Sequence, residues 1–239
     1  MVWRWGGGVT TDSLAADKVF SGESGTVTSD DNLAAGDKVI GGWSFTTQNS
    51  ADPTPPTNLA GANTNVTVNI STGLDEIIGG NMGRVVHPTE GPDKPDYSIQ
   101  SSTVTVDNVG NVQYIIGGQK AANANGIYNL DSASLTINGG SGLGTSGLVI
   151  GGNYFKATNN AGGGPGTASG TVNRVNVQVN GGTFGSTLIG AGVADDYRSD
   201  TSKEGAERKT YRCGNRLKFH GHGVISFDVD FPKSGTVPS

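Results

Sequence analysis

The sequence predicts an all-β fold and, within that class, a single-stranded parallel β-helix: a β-solenoid of about five to six rungs with loop excursions at one phase. Three observations predict it. The chain is glycine-rich and charge-poor, with 40 glycines, 33% hydrophobic and 15% charged residues, whereas ordinary globular chains have roughly 25% charged residues and about 7% Gly. An apolar pair followed by two small residues recurs along the chain. A short run of alternating character precedes each copy.

The recurring block is Val39-Ile40-Gly41-Gly42, Ile77-Ile78-Gly79-Gly80, Ile115-Ile116-Gly117-Gly118, Val149-Ile150-Gly151-Gly152 and Leu188-Ile189-Gly190-Ala191, with first glycines spaced by 38, 38, 34 and 39 residues. A degenerate copy, Val19-Phe20-Ser21-Gly22, lies 20 residues before the first full one. Upstream of the glycines are Thr26-Val27-Thr28, Asn65-Val66-Thr67-Val68, Thr103-Val104-Thr105-Val106, Ser134-Leu135-Thr136-Ile137 and Asn176-Val177-Gln178-Val179. Period-two alternation marks a half-buried strand. The aliphatic residues are expected to point inward, and Thr28, Thr67, Thr105, Thr136 and Gln178 outward as one column. After each run comes an Asx residue, Asp30, Asn69, Asp107, Asn138 or Asn180, read as a turn column because Asx tolerates left-handed geometry and bonds its own turn.

Each repeat is thus a strand, an Asx turn, a second strand and a Gly pair, followed by an excursion of free length. The excursions, near 43–63, 81–99, 119–130 and 153–171, hold most of the Pro. A unit this small cannot bury its own apolar face, so it stacks on its neighbours. The glycines are expected to turn a corner with no room for a Cβ, or with positive φ. A β-sandwich or jelly roll of the same strands is the architectural alternative, and the regular spacing argues against it. The glycines lack the every-third-residue period of collagen, and the β-branched runs argue against simple disorder.

Net charge is −5, which makes a nucleic-acid backbone an unfavourable general partner. One cysteine, Cys213, rules out an internal disulfide framework. No stretch approaches the ~20 apolar residues of a membrane span, and the first residues lack the apolar core of a signal peptide. The repeats begin almost at residue 1, so the chain is read as a fragment.

The block from Thr171 to Val179, with Asn180-Gly181-Gly182-Thr183-Phe184 and Leu188-Ile189-Gly190-Ala191-Gly192, resembles the repeats of bacterial autotransporter passenger domains and related β-helical surface adhesins. The resemblance covers roughly residues 14 to 192. It implies export to the extracellular side or the bacterial cell surface. It also implies a right-handed β-helix, and adhesion or display rather than catalysis. The partner implied is a host-surface protein or glycan, or a neighbouring bacterial cell. The family's export signal and C-terminal membrane barrel have no counterpart in this sequence.

Residues 1–197 are expected to form the solenoid, and 198–239 an atypical basic segment: a cap, a linker, or residues foreign to the fold. Seven of the 16 basic residues fall between Arg198 and His222, with the only Cys and two of the three His. Alternation over Gly223–Phe231 suggests a last strand. Cys213, His220 and His222 lack a fourth zinc ligand at a standard spacing, and His87 is far upstream, so no metal site is assigned.

No catalytic or cofactor-binding residue emerges either. The residue three before the first Gly is Lys38, Glu76, Tyr114, Leu148 or Thr187, so carboxylates do not stack there as a polysaccharide-cleaving β-helix would require. Asp195 and Asp196 are adjacent and would point apart. The Gly-rich stretches, Gly139-Gly140-Ser141-Gly142 among them, carry no Gly-Lys-Ser/Thr, so a phosphate loop and its nucleotide are not expected. The expected function is a non-catalytic exported scaffold or adhesin binding through loops on one edge. The alternatives are a β-helical polysaccharide lyase or glycoside hydrolase, and an ice-binding solenoid resembling Thr-ladder antifreeze proteins through Thr26 with Thr28, Asn65 with Thr67, Thr103 with Thr105 and Ser134 with Thr136.

Overall fold

The computed structural model describes residues 17–45, 59–83, 96–122, 126–158, 168–190, 192–197 and 215–219. In chain order the strands are β1 (Lys18–Val19), β2 (Gly25–Val27), β3 (Lys38–Ile40), β4 (Ser44–Phe45), β5 (Asn63–Asn69), β6 (Leu74–Ile78), β7 (Met82–Gly83), β8 (Ile99–Asn108), β9 (Val112–Ile116) and β10 (Lys120–Ala122). They continue with β11 (Gly126–Ile127), β12 (Leu130–Ile137), β13 (Leu143–Ile150), β14 (Tyr154–Thr158), β15 (Ala168–Ser169), β16 (Val172–Val179), β17 (Leu188–Ile189), β18 (Val193–Tyr197) and β19 (Asn215–Phe219).

These strands form a parallel β-solenoid. A first sheet runs β2-β5-β8-β12-β16-β19, a second β1-β3-β6-β9-β13-β17 and a third β4-β7-β10-β14-β18, with a small β11-β15 ladder beside them. Neighbours in each sheet are one repeat apart and parallel. β1 passes directly to β2, and from there the chain visits the first, second and third sheets in turn. Strand β19 falls in the segment expected to be atypical and pairs with β16 from Val175↔Asn215 to Val179↔Phe219. The strand expected at Gly223–Phe231, and His87, Cys213, His220 and His222, lie outside the described residues.

The core follows from the alternation. Val66, Val104, Leu135 and Val177 stand in one register and Val68, Val106, Ile137 and Val179 in the next, all buried. They pack with Leu74, Ile77, Val112, Ile115, Leu143 and Val149 of the second sheet. The recurring apolar pair has a different cause. Successive strand residues face opposite sides, so two adjacent buried residues need both sides of the strand covered. Val39, Ile77, Ile115 and Val149 join the main core. Ile40, Ile78, Ile116 and Ile150 form a second buried cluster with Met82 and Tyr154 of the third sheet. The corner after the pair folds the third sheet over the outer side of the second.

Close approach, rather than positive φ, explains the glycines at that corner. None of Gly41, Gly42, Gly79, Gly80, Gly117, Gly118, Gly151 or Gly152 has φ in the left-handed region. A Cβ on Gly79 would stand 2.5 Å from the Gly117 carbonyl oxygen, and one on Gly151 would stand 3.0 Å from that of Gly190. The next rung's backbone occupies the space.

The Asx column is partly reordered. Asn138 donates to Asp107 Oδ1 at 2.7 Å, and Asn180 donates to Asn138 Oδ1 at 2.7 Å, a side-chain ladder across three rungs. Asn69 sits opposite Asn108 instead, because a bulge after Val68 leaves Asp107 over. Asp30 lies outside the column, in a 3-10 turn over Ser29–Asp31 capped by Thr28, and the left-handed residue there is Asn32 at φ 53°. This turn ends β2 early. Thr26, and not Thr28, therefore pairs with Thr67.

Candidate binding edge

The three corners of a rung differ in how much length they tolerate. From the second sheet to the third the connection is always three residues: 41–43, 79–81, 117–119, 151–153 and 190–192. From the third sheet back to the first the connections are 46–62, 84–98, 123–129, 159–171 and 198–214, from 7 to 17 residues long. These connections all begin at the end of a third-sheet strand and end at the start of a first-sheet strand.

At this corner the first residues of the first sheet border an open groove of about 470 Å³, lined by Ser98 and Gln100, Asn129 and Asp131, and Thr171 and Asn173. Because Ile99, Leu130 and Val172 share one register, these six form two columns, Ser98-Asn129-Thr171 and Gln100-Asp131-Asn173. The first column is bonded along the stack. Asn129 Oδ1 accepts from the Thr171 N–H at 3.1 Å and from its hydroxyl at 3.2 Å, and the Asn129 N–H donates to Ser98 Oγ at 3.0 Å. In the second column, Asp131 accepts from Asn173 at 3.2 Å and from Arg174 at 2.8 Å. These two bonds hold its carboxyl below the usual carboxylate range.

A buried amide ladder, which the sequence reading missed, fixes the groove from below. Asn81, Gln119 and Asn153 close the three-residue corners and are fully or almost fully buried. Asn81 accepts from the Trp43 N–H at 2.9 Å and donates to the Tyr97 carbonyl at 2.8 Å. Asn153 accepts from the Gln119 N–H at 2.8 Å and donates to the Tyr128 carbonyl at 2.9 Å, and Gln119 donates to the Asn129 carbonyl at 3.0 Å. Each amide ties the rigid corner to the point where an excursion rejoins the first sheet. Beneath the same points runs an aromatic stack, Phe45-Tyr97-Tyr128-Phe155, with ring centroids 4.4, 5.1 and 6.2 Å apart. Burial pushes the Tyr128 hydroxyl well above its ordinary range. The available signal was the residue after each Gly pair: Asn81, Gln119 and Asn153.

The column that sequence reading examined for carboxylates holds an ion pair instead. Lys38, Glu76, Tyr114 and Leu148 do share a register. Lys120 reaches Glu76 Oε1 at 2.6 Å, with both side chains about nine-tenths buried. Its ammonium stands 5.1 and 5.8 Å from the rings of Tyr114 and Tyr154. Burial pushes the Lys120 pKa down, and Glu76 opposes that shift. The neighbouring Lys38 pairs with Asp75.

The outer side of the first sheet is a polar plane. Thr26, Thr67, Thr105, Thr136 and Gln178 run in register, with Asn65, Thr103, Ser134 and Asn176 beside them. Among the described residues no group of three or more His, Cys, Asp or Glu is arranged to hold a metal ion, and no helix is long and apolar enough to cross a membrane.

Comparison with known proteins finds no family model that matches the chain, no curated protein that resembles it in sequence and no solved structure that matches it. The fold itself defines the class, a parallel β-solenoid with a variable edge.

Proposed function

We propose that the chain is a non-catalytic scaffold or adhesive module of an exported cell-surface protein of the autotransporter-passenger kind. In this reading it binds a host-surface protein or glycan, or a neighbouring cell, through the edge where its excursions leave. One observation carries the reading: the connections from the third sheet to the first are the long, unequal ones, 7 to 17 residues beside a polar groove, while the corner from the second sheet to the third never departs from three residues. Such a layout lets binding loops vary without disturbing the stack. The carboxylates nearest the groove have structural work: Asp96 accepts the Ser98 N–H at 2.9 Å, and Asp131 holds Asn173 and Arg174.

The purified chain is expected to coat cells or immobilised matrix components and to leave polysaccharides intact. Following reducing ends and unsaturated products over a polysaccharide panel checks this. Turnover abolished by a single Asp or Glu substitution would replace the scaffold reading with the lyase or hydrolase one. The in-register Thr26, Thr67, Thr105 and Thr136 column favours an ice-binding plane as a second reading. Thermal hysteresis lost in Thr105→Leu would support it.

A further inference from the structure

We infer that the groove at the variable edge takes an uncharged, hydroxyl-rich polymer, a neutral polysaccharide chain lying along the stack of rungs. This deepens the adhesive reading and rests on it. The lining selects the chemistry. Ser98, Gln100, Asn129, Thr171 and Asn173 carry hydroxyls and carboxamides, each both donor and acceptor, which suits a ligand whose own hydroxyls are both. The one carboxylate, Asp131, is engaged by Asn173 and Arg174. An anionic polymer would meet that carboxylate, and a cationic one would find it already neutralised by the guanidinium.

An apolar ligand finds little surface. Ile99 and Leu130 are 3% and 1% exposed, with side chains that belong to the main core. The exposed aliphatic group of the lining is the single methyl of Ala60.

Geometry selects a polymer over a small sugar. The two columns repeat once per rung, at the strand spacing of about 4.8 Å. A chain of similar units set along the stack meets an equivalent pair of side chains at each step, so weak contacts add within one molecule. The groove is also pre-formed. The backbone carbonyls of Tyr97, Tyr128 and Asn129 are held by Asn81, Asn153 and Gln119, and the aromatic stack lies beneath them. A site fixed before binding loses less freedom when the ligand arrives.

The test is affinity electrophoresis of the full chain through gels containing dextran, mannan or arabinoxylan as neutral polymers, with polygalacturonate and heparin as acidic ones. At least one neutral polymer is expected to retard the chain. Gln100→Trp and Asn173→Trp, both at exposed positions, should each weaken that retardation tenfold or more while the melting temperature stays within about 2 °C of the parent, as expected of surface changes. Retardation by the acidic polymers alone, retardation by none of the polymers, or neutral retardation untouched by both Trp variants overturns the groove assignment. If the chain still coats cells in those cases, the adhesive reading survives through its excursions. If it does not, both readings fall.

Discussion

Two corners of the same rung obey opposite rules. Where the second sheet turns into the third, each rung spends three residues. Neighbouring rungs touch backbone to backbone there, and the Gly41, Gly79, Gly117 and Gly151 N–H groups each bond the carbonyl before the next Gly pair, at 2.8 to 2.9 Å. Where the third sheet returns to the first, the connections are as unequal as 123–129 and 46–62. Length is fixed where successive rungs must pair along their backbones, and free where they need not. Length can therefore vary at that edge without altering the register that holds the stack together.

Changes at the fixed corner should have the largest effects. Ile116→Asp places a carboxylate in the second cluster among Ile78, Ile150 and Met82, and a loss of about 4 kcal/mol or more is expected. Thr105→Ala on the polar plane should change stability by less than about 0.5 kcal/mol. Chemical denaturation checks both, and equal losses would mean that the inside and outside of the rung have been exchanged. Next comes the buried ion pair. Lys120→Met leaves Glu76 buried without its cation and should cost about 3 to 5 kcal/mol, whereas the double variant Lys120→Met, Glu76→Leu should recover most of it. A double variant no better than the single one would show that the pair is needed for more than mutual neutralisation. Asn81→Ala should cost about 1 to 3 kcal/mol for each partner left unsatisfied, the Trp43 N–H and the Tyr97 carbonyl. It should also weaken whatever binds at the edge, because Tyr97 precedes Ser98. A binding measurement that follows stability alone would separate the groove from the ladder.

The repeat was legible because its causes are local. Alternation gave the inward Val66 and Val68, and recurrence gave the Gly pairs, since a chain packed against its own next copy repeats its constraints. Contacts whose causes are not local leave no such mark. Lys120 and Glu76 are 44 positions apart, and nothing in either neighbourhood marks the other. Asn81 and Asn153 open the excursions 81–99 and 153–171, and their partners, the carbonyls of Tyr97 and Tyr128, lie far along the chain, so nothing local marks the bonds. Thr28 was placed two residues out of register because the turn over Ser29–Asp31 lengthens the first connection and shortens β2. The adjacent apolar residues were visible, but the third sheet that covers Ile78 and Ile116 was hidden within what read as excursions.

The difference between the corners is tested most directly by length itself. One variant carries a single Ala inserted between Gly117 and Gly118, and another carries a single Ala inserted between Gly91 and Pro92 in the 84–95 segment. Both are measured by urea unfolding. The first is expected to lose several kcal/mol, because the inserted residue displaces Gly118 from its bond to the Gly152 carbonyl and brings a Cβ into a crowded corner. The second should stay within about 0.5 kcal/mol of the parent, since loop entropy grows only slowly with length. Equal losses in the two variants would contradict the account, and so would a larger loss in the second.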